Sequence, residues 1–586
     1  MKAGIAPETS STGDRGRMNA DDKVELMKEH FSLSRHLLLI VAFALASVPV
    51  VHASLPAPPP PAGMVDLVLG KSYAATPLVP IKYSFAPMEV GLQFPGGLTD
   101  GRIASSTNYN DRQWQQYIRG GMRSIIVDMG RVNTVHRMQE RFLQDIPHGI
   151  DFPREVIYSL SMDGKHWAVV GTVKSAISLT VTKPTVQTYT LSGLNYQARY
   201  VKMTFVVDVF TLADEFQVFG NNGVVDGATV PGMTPPPVYP DKYCPPGSPE
   251  VGGTRNMVLI TNGYYRKDPA IEKNSVDQLL PYVGYISSSG KIKDFMFDAF
   301  LFSAFGAAPS GGQYGADIKK PTVLSDWQYY IDNTFLPDYN VSALNIATGK
   351  VKKALGKPSY RSKVEIAIPY PTPSAKYFGK VKGKSINMEK LSGRESVIRW
   401  YVDQVLRRWK EGHYSNLKLV GLYWISEKAA FTIDDSETAL IRYVGNYVRS
   451  KGLVLDWIPF INAEGFYEWH SLGFDGAEMQ PNYSFHNYPV RELGEAAETC
   501  KMLGMGIEIE IHWDALKNDA LLEKYYQYLN WGIKKGYMTG AAHSYYQNAG
   551  PGTFYQCCYS KNPRIREVYD KTYDFIKGTY TETNVH

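Results

Sequence analysis

Cysteine is scarce, with four in 586 residues. Cys244 falls in a proline-rich stretch, Cys500 in an expected helix, and Cys557 and Cys558 are neighbours, so a disulfide framework is excluded and no zinc-ligand spacing occurs. One bridge stays open. Long runs of one charge sign are also missing: 62 Lys and Arg stand against 57 Asp and Glu, for a formal charge of +5. That distribution excludes a nucleic-acid footprint. Neither a P-loop nor a dinucleotide fingerprint is present, so nothing is built to cradle phosphates. The longest apolar run, Leu37 to Ala46, is short for a bilayer crossing, and no stable membrane span is expected. Aromatic residues, by contrast, are plentiful, with 40 Tyr and 10 Trp. Such faces fill large cores or stack on sugar rings.

Arg35 and His36 precede that apolar run, and Val51-His52-Ala53 offers a small-residue cleavage site. Residues 27–53 therefore read as a signal peptide, with a retained anchor as the alternative. Residues 1–26 fit no signal architecture and read as an extension before a true start at Met18 or Met27. Residues 54–64 form a stiff proline-rich spacer. The expected location is secreted, periplasmic or cell-surface.

Residues 65–220 read as many short strands broken by turns, which suggests an all-β sandwich. Leu98-Thr99-Asp100-Gly101, Trp114, Ser124-Ile125-Ile126-Val127-Asp128-Met129-Gly130, Phe152-Pro153-Arg154-Glu155-Val156, Ser161-Met162-Asp163-Gly164-Lys165-His166-Trp167 and Ala198-Arg199-Tyr200-Val201-Lys202 follow in order. This series resembles the discoidin, or coagulation-factor C-type, domain, a galactose-binding-like jelly roll. The resemblance implies sugar binding through loops at one end and a structural calcium near Asp100, with Asn108 or Asp111 beside it. Asp100 making only a turn is the plainer reading. Trp114, Tyr117 and Tyr109 are candidate stacking residues, although Trp114 matches a position usually buried in that family.

Residues 221–254 carry Pro231, Pro235, Pro236, Pro237, Pro240, Pro245, Pro246 and Pro249, which forbid helix and central strand alike. They read as a linker. From 255 to 580 strands alternate with helices, the pattern of a parallel sheet with crossovers. Strands are expected over 256–264, 294–302, 364–369, 417–425, 453–461, 473–481, 506–511 and 538–545. Eight strand-helix units predict a (β/α)8 TIM barrel, with an open doubly wound sheet as the alternative. The fold class is thus multi-domain, a jelly-roll sandwich followed by a barrel.

The most informative stretch is Gly506 to Asp514. Its alternation places Ile507, Ile509 and Ile511 on one face and Glu508, Glu510 and His512 on the other. Two carboxylates and an imidazole need a polar cavity, because unpaired buried charges cost too much. Chemistry in such barrels gathers at the C-terminal strand ends. Those ends bring Asn262, Asp298, Trp424, Glu427, Glu478, Gln480, Asn482, Trp513, His543 and Tyr545. Acids, amides and aromatics without an Arg or Lys cluster suit a neutral, hydroxyl-rich carbohydrate, and cleavage of a glycosidic bond needs two carboxyls.

Glu427 after the fourth strand and Glu510 on the seventh resemble, by position, the acid/base and nucleophile of the large retaining glycoside-hydrolase clan built on this barrel. That clan usually has Asn before its acid/base, where this chain has Ser426. The C-terminal half is also similar to an uncharacterised domain family of secreted bacterial proteins, sometimes fused to discoidin-like modules. The resemblance implies a barrel and assigns no reaction.

The catalytic candidates are Glu427, Glu510 and Glu508, with Glu478 and Asp298 as reserve acids. The other rim residues are candidate substrate contacts. Plainer roles stand beside these: a solvated Glu427-Lys428 pair, Glu508 paired with a cation inside the barrel, and tryptophans in the core. A secreted glycoside hydrolase is the leading expectation. A non-catalytic glycan-binding or adhesion protein and a polysaccharide lyase using Tyr545 or His543 as base are the alternatives. No cofactor is required for this chemistry, the expected partner is a poly- or oligosaccharide, and a monomer is expected.

Overall fold

The computed structural model describes residues 55–77, 92–118, 121–264, 272–304, 307–316, 318–550 and 552–583. The expected leader and the extension before it lie outside these residues, as does part of the loop between residues 306 and 320. Among the described residues no helix is long and apolar enough to cross a membrane.

The N-terminal part is β-rich and sandwich-like. Its strands are β1 (Val65–Asp66), β2 (Tyr73–Pro77), β3 (Gln115–Ile118), β4 (Gly121–Gln144), β5 (Glu155–Ser161), β6 (Ala168–Lys174), β7 (Thr185–Val207) and β8 (Phe210–Asn221). They pair in the order β1-β8-β4-β7-β5-β6, with β2 on β4 and β3 on β8. In place of uniformly short strands, β4 and β7 run for 24 and 23 residues. Register breaks between Asp128 and Asn133 and between Val135 and Arg137 interrupt their pairing. Such bulges bend a long strand, so one chain segment can follow a curved sheet. The core is aromatic: Phe142 meets Tyr189 and Phe205 edge-on at 5.3 and 5.2 Å. Trp114 and Tyr117 are fully buried there, which corrects their reading as stacking residues.

The C-terminal part is a closed barrel of eight strands. They are β9 (Asn256–Thr261), β10 (Ala299–Ser303), β11 (Ser362–Ile368), β12 (Leu417–Trp424), β13 (Val454–Trp457), β14 (Gly476–Met479), β15 (Gly506–Glu510) and β16 (His543–Tyr546). All barrel pairings are parallel, and β16 returns to β9. Around it lie α1 (Leu324–Thr334), α2 (Leu391–Gly412), α3 (Glu437–Arg449), α4 (Arg491–Leu503), α5 (Asp519–Lys535) and α6 (Pro563–Ile576). Asn518 caps α5 by accepting from the Leu521 amide, and Gly504 ends α4 in the left-handed conformation that favours glycine. The second expected strand begins later than its pattern suggested. Residues Ile292–Phe295 pair in a separate hairpin, and the barrel strand starts at Ala299.

The proline-rich segment is tied to the barrel. The Cys244 amide donates to the Met505 carbonyl at 3.0 Å, and the Cys244 carbonyl accepts from Ala542 at 2.8 Å. All four cysteines are free and buried.

Candidate functional site

Partners in a parallel ladder share a face of the sheet. The registers Leu301↔Glu365, Glu365↔Gly421, Tyr423↔Asp456, Asp456↔Gly476, Glu478↔Gly506 and Glu508↔Ser544 therefore align one set of residues. That face is the barrel interior, and it carries acids in two tiers. The lower tier is Glu365, Asp456 and Glu478, each buried. Glycines on the next strand leave room for them: a Cβ at Gly421 would lie 2.9 Å from Glu365 Oε1, and one at Gly476 would lie 2.8 Å from Asp456 Oδ1.

The upper tier is Glu427, Glu508 and Glu510. Glu510 is the last residue of β15 and is 1% exposed. Burial pushes its carboxyl up to about 8, with the charge of Glu427 adding to the rise. The Tyr528 hydroxyl on α5 donates to its Oε2, and the Asn482 backbone amide opposes the rise as well. Asn482 sits at φ 57°, a left-handed conformation that asparagine tolerates, in the loop after β14. Glu427 follows β12 and is half-buried. Burial raises its carboxyl to about 7, against a hydrogen bond from the Gln480 side chain. Glu508 lies deeper and is pushed well above the carboxylate range by burial, then by the charges of Glu510 and Glu427. A hydrogen bond from Ser544 partly opposes that rise.

No lysine or arginine among the described residues contributes to the shifts of Glu427, Glu508 or Glu510. Glu508 is thus surrounded by acids instead of being paired with a cation. Lys428 turns to Glu464, at 3.0 Å, so Glu427-Lys428 is not a solvated pair. Tyr423 lies between the tiers: burial raises its hydroxyl well above its ordinary value, followed by the charges of Glu427, Glu508, Asp456 and Glu478.

Beside Glu510 the rim carries aromatic faces. Phe485 stacks on Trp513 at 5.2 Å, His512 lies 4.0 Å from Trp513, and Tyr546 meets Phe485 edge-on at 5.5 Å. All four are half-buried. His512 Nδ1 accepts from the Asp514 amide at 3.0 Å, and burial lowers the imidazole to about 4, so it is neutral near pH 7. Phe485 and Tyr546 carry no charge and no motif. The sequence signal for Tyr546 was its place two residues after Ser544, on the inward face.

Several expected rim residues lie elsewhere. Asp298 precedes β10, at the N-terminal end of the barrel, where it pairs with Lys363 at 2.7 Å and accepts from the Asn256 amide at 2.8 Å. Trp424 points away from the barrel interior and is fully buried, edge-on to Tyr370 at 5.5 Å. His543 and Tyr545 also alternate outward. His543 packs on Phe575 of α6 at 5.6 Å, and Tyr545 donates to Asn256 Oδ1 at 2.9 Å. Neither can be the base of a lyase at the rim. One-residue alternation explains the error: Ser544 and Tyr546 hold the inward positions instead. Glu478 faces inward but in the lower tier. Gln480, by contrast, is buried at the site, where its side chain hydrogen-bonds Glu427 and donates to the Ile458 carbonyl at 2.8 Å. Asn262 directly follows β9 and is buried, donating to Thr334 Oγ1 at 2.8 Å.

In the N-terminal part, Asp100 accepts from the Arg102 amide at 2.9 Å, which is a turn. Among the described residues no group of three or more His, Cys, Asp or Glu is arranged to hold a metal ion.

Fold and site together define a closed parallel barrel with an acidic, aromatic-rimmed interior, preceded by a β-rich domain. The family model described as a domain of unknown function (DUF4855) matches residues 256–574, and the chain belongs to that family. No curated protein matches the chain. Solved structures similar to parts of it include a Streptococcus pneumoniae fucose binding module, at 12% identity, covering 28% of this chain and 99% of that one, with a TM-score of 0.20. Another is chitosan-binding module 1 from a chitosanase/glucanase of Paenibacillus sp. IK-5, at 18% identity, covering 26% and 98%, with a TM-score of 0.18. A third is SpGH29, at 15% identity and a TM-score of 0.18; the match covers 27% of this chain and only 28% of that one.

Proposed function

We propose that the protein is an exported glycoside hydrolase acting on a poly- or oligosaccharide, with Glu427 as acid/base and Glu510 as nucleophile. The observation that carries this reading is the upper tier itself. Glu427 follows β12, Glu510 ends β15, and the charge of Glu427 helps raise Glu510. Burial raises both carboxyls toward neutral pH, so between about 7 and about 8 one of the two is protonated and the other ionised. That is the state a glycosidase needs, one acid and one carboxylate.

The surroundings divide the roles. Glu427, at about 7, gives up its proton before Glu510, at about 8, so the reactive form with Glu427 protonated and Glu510 ionised is the minor of the two singly protonated states, and Tyr528 and the Asn482 amide raise its share by favouring the ionised form of Glu510. Half-buried Glu427 is the more open of the two and can deliver its proton to the leaving oxygen. Glu510 would attack the anomeric carbon, and the carboxylate formed on Glu427 would then take a proton from the water that releases the sugar. Glu508 stays protonated and holds the geometry beneath them. The rim of Phe485, Trp513, His512 and Tyr546 offers apolar faces for sugar rings.

The test is reducing-end release across a broad panel of polysaccharides and p-nitrophenyl glycosides. Wild type should turn over a member of the panel, and Glu427→Gln and Glu510→Gln should each lose turnover while retaining sugar affinity. Binding without release by wild type across the panel would favour a non-catalytic glycan-binding role.

A further inference from the structure

We propose that Arg154, in the β-rich domain, is a positioning residue for the segment that carries Glu427. The inference rests on the reading of Glu427 as the acid, and it makes the N-terminal domain part of the catalytic unit.

Glu427 lies between β12 and α3, in residues 425–436. The barrel holds that segment at both ends, with Arg394 of α2 pairing with Asp434 at 2.9 Å near its close. Trp457 Nε1 donates to the Ser426 carbonyl at 2.6 Å, and Ser426 Oγ donates to the Lys428 carbonyl at 2.7 Å. Ser426, where the resembled clan has asparagine, thus serves as a brace of the turn around Glu427.

Beyond Lys428 the contacts reach the other domain. Lys428 pairs with Glu464 at 3.0 Å, and the Ala429 amide donates to the Glu464 carbonyl at 2.9 Å. Asp151 is 7% exposed and sits in the field of both members of that pair. Arg154 lies with its guanidinium 4.0 Å from the centre of the Phe431 ring and donates from Nη1 to Glu468 Oε2 at 2.6 Å. At the far end, Ser178 Oγ donates to Asp435 Oδ2 at 2.6 Å, and the Leu179 amide donates to Asp435 Oδ1 at 3.2 Å.

A guanidinium that stacks on a ring and donates to a carboxylate at once is held in one geometry, and removing it takes away the cation over Phe431 and the partner of Glu468. The segment bearing Glu427 is therefore gripped at Phe431 and Asp435 by the β-rich domain, and at Lys428 through Glu464. Asp208, which faces Arg154 at 4.0 Å, completes the charged groups at this contact.

The experiment uses the full chain. Amide hydrogen exchange of peptides spanning residues 425–436 is compared in wild type, Arg154→Ala and Arg154→Lys, with peptides from α6 as internal reference. Arg154→Ala should speed exchange in the 425–436 peptides about tenfold while α6 is unmoved, and Arg154→Lys should recover part of the protection. On a p-nitrophenyl glycoside that wild type cleaves, kcat should fall with little change in KM. The acid limb of the pH profile should move to lower pH, because Glu427, the lower of the pair, becomes better solvated when loosened.

Ser178→Ala reads the same coupling at the other end of the segment if Arg154→Ala fails to fold. Unchanged exchange in these variants, alongside an inactive Glu427→Gln, would overturn the positioning role and leave the hydrolase reading intact. A loosened segment with a fully active Glu427→Gln would instead overturn Glu427 as acid, and the positioning role with it.

Discussion

The Tyr528 hydroxyl donates a hydrogen bond to Oε2 of Glu510, from α5 to the end of β15. Both groups are buried, and the bond favours the ionised form of Glu510. Tyr528→Phe removes the donor and raises Glu510 further, which depletes the ionised nucleophile. The expected outcome is a loss of about 10–100-fold in kcat/KM, the range for a hydrogen bond to a charged group, with the pH optimum shifted upward. A pH–rate series on one glycoside checks both.

The pair Glu427 and Glu510, raised to about 7 and about 8, gives a bell-shaped profile with its maximum between those values. Below the bell both carboxyls are protonated, and above it both are ionised. Glu427→Gln should remove the bell along with most of the rate.

Glu508 holds its proton in this account, so the neutral isostere should serve nearly as well. Glu508→Gln should keep kcat within about tenfold of wild type, whereas Glu510→Gln should lose about a thousandfold or more. Steady-state kinetics of the two variants side by side decides between the two acids of β15.

Glu365 has no hydrogen-bond partner for either oxygen, and burial followed by the charge of Asp456 pushes it well above the carboxylate range. Glu478 is raised in the same way, and Asp456 to about 6. The folded protein therefore keeps protons that the unfolded chain releases, and its stability falls as pH rises from the ordinary carboxylate values through these raised ones. Thermal unfolding should show a lower Tm at pH 8 than at pH 5. Glu365→Gln should raise Tm at pH 8 and change it little at pH 5.

His543 packs against Phe575 and Tyr537, and burial lowers its imidazole to about 3. His543→Ala should cost roughly 1–3 kcal/mol of stability, the usual range for truncating a packed side chain, and leave kcat unchanged. Urea unfolding and turnover measured on the same preparation separate the two effects.

The alternation of Gly506 to Glu510 was enough to place Glu508 and Glu510 in the barrel interior, because a strand leaves no choice of face once its isoleucines are buried. The strand-helix rhythm likewise predicted the closed barrel of eight strands. Residues at strand ends were harder to place, since an error of one position reverses the side chain's direction. His543, Tyr545 and Trp424 failed on that count, and Asp298 failed because its strand begins one residue after it. Glu365 was not singled out at all. Its neighbours Val364 and Ile366 suggest an ordinary buried strand, and the room for its carboxyl comes from Gly421 on another strand. Tyr528 and Arg154 lie far from the site in sequence, and only the packing of α5 and of the β-rich domain brings them to it.

The central claim is that Glu510 forms a bond to the anomeric carbon. Its most direct test is incubation with a panel of 2-deoxy-2-fluoroglycosyl fluorides, followed by peptide mass spectrometry. The account predicts a glycosyl mass increment on the peptide containing Glu510, mapped by fragmentation to that residue and abolished in Glu510→Gln. A label on Glu508, Glu478 or Asp456 instead, or wild-type reducing-end release by Glu510→Gln, would contradict it.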